Sequence, residues 1–115
     1  MPEQELTKLN LIRKLGDVIT EIDVSRGSFP KKSAKRKELD SWRLRLDAKQ
    51  HALTDAVFKE GTPSFKSAAE KIGVLSDKLN ESIEDVNKTA QAFADLARLA
   101  SAIDDLLVLA AGIVK

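Results

Sequence analysis

A chain of 115 residues, 43% hydrophobic and 32% charged, is long enough for one domain built round one core. Its 19 basic and 18 acidic side chains nearly cancel, to a formal +1, which excludes a strongly polycationic or polyanionic protein. Without cysteine there is no disulfide framework, thiolate metal site or cysteine nucleophile, and 5 glycines with 3 prolines favour long helices over a sheet.

The first residues carry Glu3 and Glu5 where a secretory signal needs positive charge followed by a continuous apolar run, so the segment reads as mature sequence. The longest apolar run, Leu106 to Val114, is far short of the ~20 residues that span a bilayer. The expectation is a soluble, cytoplasmic protein with no membrane span.

From about Glu3 to Ser25, Leu11, Leu15, Val18 and Ile22 step by four, three and four, flanked by Ile12 and Ile19. This predicts an amphipathic first helix with a stripe wide enough for a bundle core. Gly16 inside it costs ~1 kcal/mol relative to alanine and marks a point of close helix approach. The run Arg26-Gly27-Ser28-Phe29-Pro30 predicts a stop, with Gly27 in the left-handed capping conformation and Pro30 keeping Phe29 out of helical geometry. A second helix is predicted from the N-cap Ser33 to about Glu60. Its inner face is Leu39, Trp42, Leu46, Leu53, Ala56 and Val57, interrupted by Lys49. Gly61-Thr62-Pro63 punctuates its end, with Thr62 as the next cap and Pro63 at the first helical position. Two such helices joined by short loops pack antiparallel.

Ser64 to Val114 contains no proline, and its glycines are Gly73 and Gly112. Phe65, Ala68, Ile72, Leu75, Leu79, Ile83, Val86, Ala90, Phe93, Ala97, Ala100, Ile103, Leu107, Ala110 and Val114 recur at steps of three and four. As one straight helix the stretch would reach roughly 75 Å at about 1.5 Å per residue. The rhythm slips between Leu75, Leu79 and Ile83, and again between Ala97, Ala100 and Ile103. Slips mark changes of twist or interruptions, and candidate caps lie beside both: Asn80 or Ser82 with Asp85, and Ser101 with Asp104. A turn within 80–89 gives an all-α antiparallel bundle of four helices, up-down-up-down. Without a turn there are three helices, the last of them long. The segment from Phe93 to Val114 is apolar round most of its circumference and is expected to be covered on nearly every side, by its own bundle or by a partner.

Charge is divided unevenly: residues 1–59 hold 13 basic and 9 acidic side chains, net +4, and residues 60–115 hold 6 and 9, net −3. The concentration is Lys31, Lys32, Lys35, Arg36 and Lys37, continued by Arg43 and Arg45. At a helix N-terminus it opposes the macrodipole, so local helix chemistry does not account for it. It is a candidate contact for an acidic partner, a phosphate backbone or an anionic head group; the alternative is a solvated loop with a frayed first turn.

The single histidine, His51, lies four residues from Asp47 and four from Asp55, all three on one helix face away from the Leu46 and Leu53 stripe. A single exposed histidine on the second helix of a four-helix bundle resembles a histidine phosphotransfer domain, through the architecture and His51-Ala52-Leu53. The resemblance implies phosphoryl relay through His51. Thr54 and Asp55 stand where that family carries a basic residue and a glycine. Read as a metal site, one imidazole and two carboxylates make a weak surface chelate, and as plain surface chemistry they are i,i+4 charge pairs.

Glu84-Asp85 and Asp104-Asp105 are adjacent on a helix and point apart, so neither resembles an acid/base dyad. The chain has no Glu-x-x-His, phosphate loop or dinucleotide fingerprint, so no enzyme activity, cofactor or metal is expected. The expected function is non-enzymatic: a small bacterial interaction protein of adaptor, immunity or secretion-accessory type, with another protein or a second copy as partner. Phosphotransfer through His51 is the second expectation, and nucleic-acid binding through Lys31 to Arg45 the third.

Overall fold

The computed structural model describes residues 7–83 and 85–111. Four α-helices follow one another: α1 (Lys8–Ser25), α2 (Ala34–Asp55), α3 (Pro63–Ser82) and α4 (Thr89–Ala111). The long stretch therefore turns back, inside the region where the first phase slip falls. Glu3, Glu5, Glu84, Gly112, Ile113 and Val114, which enter the expectations above, lie outside the described residues.

Side-chain caps set the starts of the first three helices. Thr7, Ser33 and Thr62 accept hydrogen bonds from the backbone N–H groups of Asn10, Arg36 and Phe65, and Pro63 occupies the first turn of α3. The chain leaves α1 by a 3-10 turn (Arg26–Ser28) and α3 by a second one (Val86–Lys88). Gly27 does not take the left-handed conformation expected of it: among the described residues none has positive φ, because α1 tightens into 3-10 geometry. Gly16 is not required by a close helix approach: a Cβ there would meet Nε2 of Gln50 at 3.4 Å, an ordinary contact with a side chain whose amide reaches across from α2 to donate to the Ile12 carbonyl at 2.9 Å.

Helix α2 ends at Asp55, five residues before the expected Glu60. Ala56 is extended (φ −78°, ψ 150°), and from there burial alternates: Ala56 is buried, Val57 is 60% exposed and Phe58 packs on the core. The period of two replaces the helical period because the Phe58 ring settles on Phe65 of α3, centroids 5.3 Å apart. Val57 is thus not an inner-face residue.

Successive helices alternate in direction, but spatial neighbours are not simply successive. Helix α1 packs on α2 and α3, and α4 packs on α3 and α2. Ser25 at the end of α1 donates to the Ile83 carbonyl at the end of α3 (2.9 Å), so α1 and α3 run the same way. Lys49 of α2 meets Asp104 of α4 at 2.6 Å, late in both helices, so these also run together. Two antiparallel hairpins are therefore stacked like on like. The core between them includes the fully buried Leu11, Leu15, Leu46, Leu53, Ile72, Leu79, Leu96, Leu99 and Ile103. Its Cα radius of gyration is 14.7 Å and its longest extent 44 Å, which one ~75 Å helix could not fit.

The stripe on α4 differs from the expected one. Of the expected positions Ile103 and Ala110 are buried, but Ala90 and Ala97 are exposed and Phe93, Ala100 and Leu107 only partly covered, whereas Ala92, Leu96, Leu99, Ala102 and Leu106 are buried. A chain reversal resets helical phase, so extrapolating from α3 through the turn picks a face of α4 rotated from the buried one and overlapping it only in part. The second slip, near Ala100, leaves no break in the helix. Nor is α4 covered all round: Val108 is 67% and Leu109 37% exposed, and Ala94 is exposed as well.

Truncating Leu96 to alanine opens a cavity in this core and is expected to lower unfolding free energy by about 2–5 kcal/mol in urea titration. Ala97→Gln, at an exposed position, is expected to change it by less than about 0.5 kcal/mol. The reverse order would overturn the assigned face.

Candidate interaction site

The basic segment begins in the turn before α2 and winds round its first three turns, and the structure splits it into two sets. Arg36 and Arg43 face inward, toward α1. The Arg36 guanidinium, its side chain 19% exposed, donates to the carbonyls of Arg26 (3.1 Å) and Phe29 (3.4 Å) and lies 3.6 Å from Asp40. It holds the carbonyls of the α1–α2 turn. Arg43 donates to Asp23 at 2.5 Å, and Arg26 donates to Asp40 at 2.7 Å while approaching Asp23 at 3.6 Å. Five charges, Asp23, Arg26, Arg36, Asp40 and Arg43, thus join the end of α1 to the start of α2. The Arg26 hydrogen bond holds the Asp40 carboxyl below the usual carboxylate range; burial opposes it as the next largest influence, and the charges of Arg26 and Arg36 add to the lowering. The bond from Asp23 raises Arg43 above the ordinary guanidinium value.

Lys31, Lys32, Lys35 and Lys37 face solvent. Among the described residues none of them makes an ion pair; Lys35 lies over the Phe29 ring, 5.9 Å from its centroid. Arg45 is also exposed and covers the Trp42 ring at 4.6 Å, so the one tryptophan is consumed as a platform for a neighbouring side chain and is itself 7% exposed. Ser33 caps the helix beneath these lysines. Their four charges therefore stand together at the positive end of α2, uncompensated, beside a joint in which each arginine has a carboxylate partner.

His51 is where the spacing places it, on the outer face of α2 with its side chain 76% exposed. Nε2 lies 3.6 Å from the Asp47 carboxylate. Asp55 is the last residue of α2 and is exposed. Lys8 is fixed to this end: its Nζ donates to the carbonyls of Thr54 (3.0 Å) and Ala56 (2.7 Å), capping the helix. Among the described residues no three His, Asp or Glu side chains converge as metal ligands, and no helix is long and apolar enough to cross a membrane.

Two features escaped the sequence reading. Asp95 of α4 is fully buried; Arg98 donates to its Oδ1 at 3.3 Å, and its Oδ2 has no partner. Ser76 of α3, also fully buried, has an unpartnered hydroxyl. Asp95 stands in the register of Ala92, Leu99 and Ala102, and a charge at a stripe position was the available signal once the stripe was correctly phased. The second feature is an open groove along the outside of α3 and α4, formed by two hollows of about 530 and 540 Å³ that share Ser67 and Lys71. Only the juxtaposition of two helices makes it, so no local pattern announces it.

No protein-family model, curated protein or solved structure matches the chain. The site must be interpreted from its own chemistry.

Because the folded-state value of Asp40 lies below the unfolded one, its contribution to stability is complete above the ordinary carboxylate value of about 3.9 and is lost as pH falls through the lowered value. Asp40→Asn is therefore expected to melt at lower temperature than the parent at pH 7, with the gap closing as acid protonates Asp40 in the folded state as well. A gap that persists unchanged in acid would show that Asp40 acts through packing and not through charge.

Proposed function

We propose that the protein is a non-enzymatic helical interaction module of the adaptor, immunity or secretion-accessory kind, docking an acidic partner protein at the α1–α2 corner. The observation that carries this reading is the unpaired set Lys31, Lys32, Lys35 and Lys37, held at the start of a capped helix by a rigid ion-paired joint. Four ammonium groups with no internal counter-charge repel one another, and an acidic surface relieves that repulsion. Arg36 and Arg43 support the site from beneath, so replacing them tests the fold together with the binding. An acidic protein suits the corner better than nucleic acid does, because Phe29, the ring beside these lysines, is half-buried and already lies under Lys35, which leaves it poorly placed to stack on a base.

Phosphoryl relay through His51 is the second reading. The exposure of the imidazole favours it, since a phosphodonor domain could reach the ring. The Asp47 carboxylate beside Nε2 opposes it by repelling an incoming phosphoryl group.

Titration with an oligoglutamate peptide, followed by amide chemical shifts, is expected to perturb residues 31–37 first and to weaken steeply with salt. Changing Lys31, Lys32, Lys35 and Lys37 together to glutamate should abolish the response while leaving the helical circular dichroism intact. Tighter binding to a DNA duplex than to the peptide would move the reading to nucleic acid. For the second reading, a phosphorylated receiver domain should transfer label to the parent chain and not to His51→Gln; label on neither protein removes it.

A further inference from the structure

Asp47 and His51 stand one turn apart on the outer face of α2, with Nε2 of the imidazole 3.6 Å from Oδ2 of the carboxylate and the side chains 76% and 46% exposed in that order. Two ligands of a tetrahedral zinc ion, each about 2.0–2.1 Å from it, are themselves about 3.3–3.4 Å apart. The pair thus nearly matches one edge of such a site, on a helix that fixes its spacing. Among the described residues Asp47 makes no other ion pair, because Arg43, one turn back, is held by Asp23. One chain supplies only half of the ligands: among the described residues no third His, Asp or Glu joins these two.

We infer that this pair binds a divalent ion of the zinc class together with the same pair of a second copy, the ion lying on the two-fold axis between them. Two imidazole nitrogens and two carboxylate oxygens complete four-coordination, and the two carboxylate charges balance that of the ion. The mixed nitrogen and oxygen set selects zinc over magnesium or calcium, which take oxygen ligands. The imidazole binds in its neutral form with its proton on Nδ1, so any proton on Nε2 passes to solvent as the ion arrives.

Opposite edges of a tetrahedron are perpendicular, so the two α2 helices cross steeply and meet only around the ion. Their surfaces permit this. Ala48, between the two ligands in sequence, is small and exposed, and Leu44, two turns before His51 on the same face and 69% exposed, gains cover from the second copy. Without the ion the two Asp47 carboxylates would face each other and repel, so the contact depends on the metal. The site is separate from the lysine corner and is tested with other variants.

Sedimentation velocity of the untagged chain, from about 10 μM to 1 mM, should show monomer in EDTA and dimer when one equivalent of ZnCl2 is added per two chains. Native mass spectrometry should find one zinc ion in each dimer, and CaCl2 should not replace ZnCl2. H51Q and D47N, both at surface positions, should keep their helical circular dichroism and lose the zinc-dependent dimer. D55N should retain it, because Asp55 is outside the ligand set. A parent chain that stays monomeric with zinc at the highest concentration, one ion bound per monomer, or zinc-driven dimers of H51Q or D47N would each overturn the inference.

Discussion

Burial of the apolar face of α4 is the constraint on which the rest depends. Leu96, Leu99, Ile103 and Leu106 are fully buried, and nothing in the first hairpin could cover them if α3 ran straight on. The reversal through residues 83–88 brings them against Ile72 and Leu79 and completes a core that α1 and α2 alone leave open on one side. With a Leu-sized side chain contributing about 1.5–3 kcal/mol on full burial, turning outweighs the cost of interrupting a helix for a few residues. The bundle is therefore two hairpins closing on each other, and its like-directed stacking follows from which faces they have to offer.

Surface charge does a different task at each place it occurs. Lys14 to Asp77 (2.9 Å) and Lys49 to Asp104 tie the hairpins together across exposed edges, where such pairs contribute at most about 1 kcal/mol. The pairs at the α1–α2 joint share partners and enclose backbone carbonyls, so they fix the direction in which α2 sets out. The four lysines beside this joint are left exposed to solvent. The corner is thus a product of folding and a surface with chemistry of its own at once.

The buried polar atoms of Ser76 and Asp95 work against stability. A carboxylate oxygen without a hydrogen-bond partner in an apolar interface is costly, and the surrounding leucines must outweigh it. Ser76 lies on α3 and Asp95 on α4, so both belong to the second hairpin. Arg98 connects its interior with the groove: it donates to Asp95 inward and lines the groove outward.

Much of the architecture was legible from side-chain identity alone. Thr7 could not be separated from the helix it caps, but Ser33, Thr62 and Pro63 announced their roles, because a cap is a local hydrogen bond between near neighbours in the chain. The class of fold follows from periodicity, since apolar side chains at steps of three and four have no other way to be buried together, whereas the same periodicity left the count at four helices with a turn within 80–89 or three without one. The seven basic residues and His51 were likewise visible as a composition. What each of them does was not, because Arg36 and Arg43 are distinguished from Lys35 and Lys37 only by whether α1 lies within reach. In the same way the true face of α4, the early end of α2 at Asp55 and the groove over α3 and α4 were decided by contacts between residues far apart in sequence. Helical period carries no memory across a turn, and a charge has no assigned partner until packing brings one near. The apolar residues from Ser64 onward thus set how much surface had to be hidden, and the tertiary structure alone determined which side of α4 was hidden and which was left exposed.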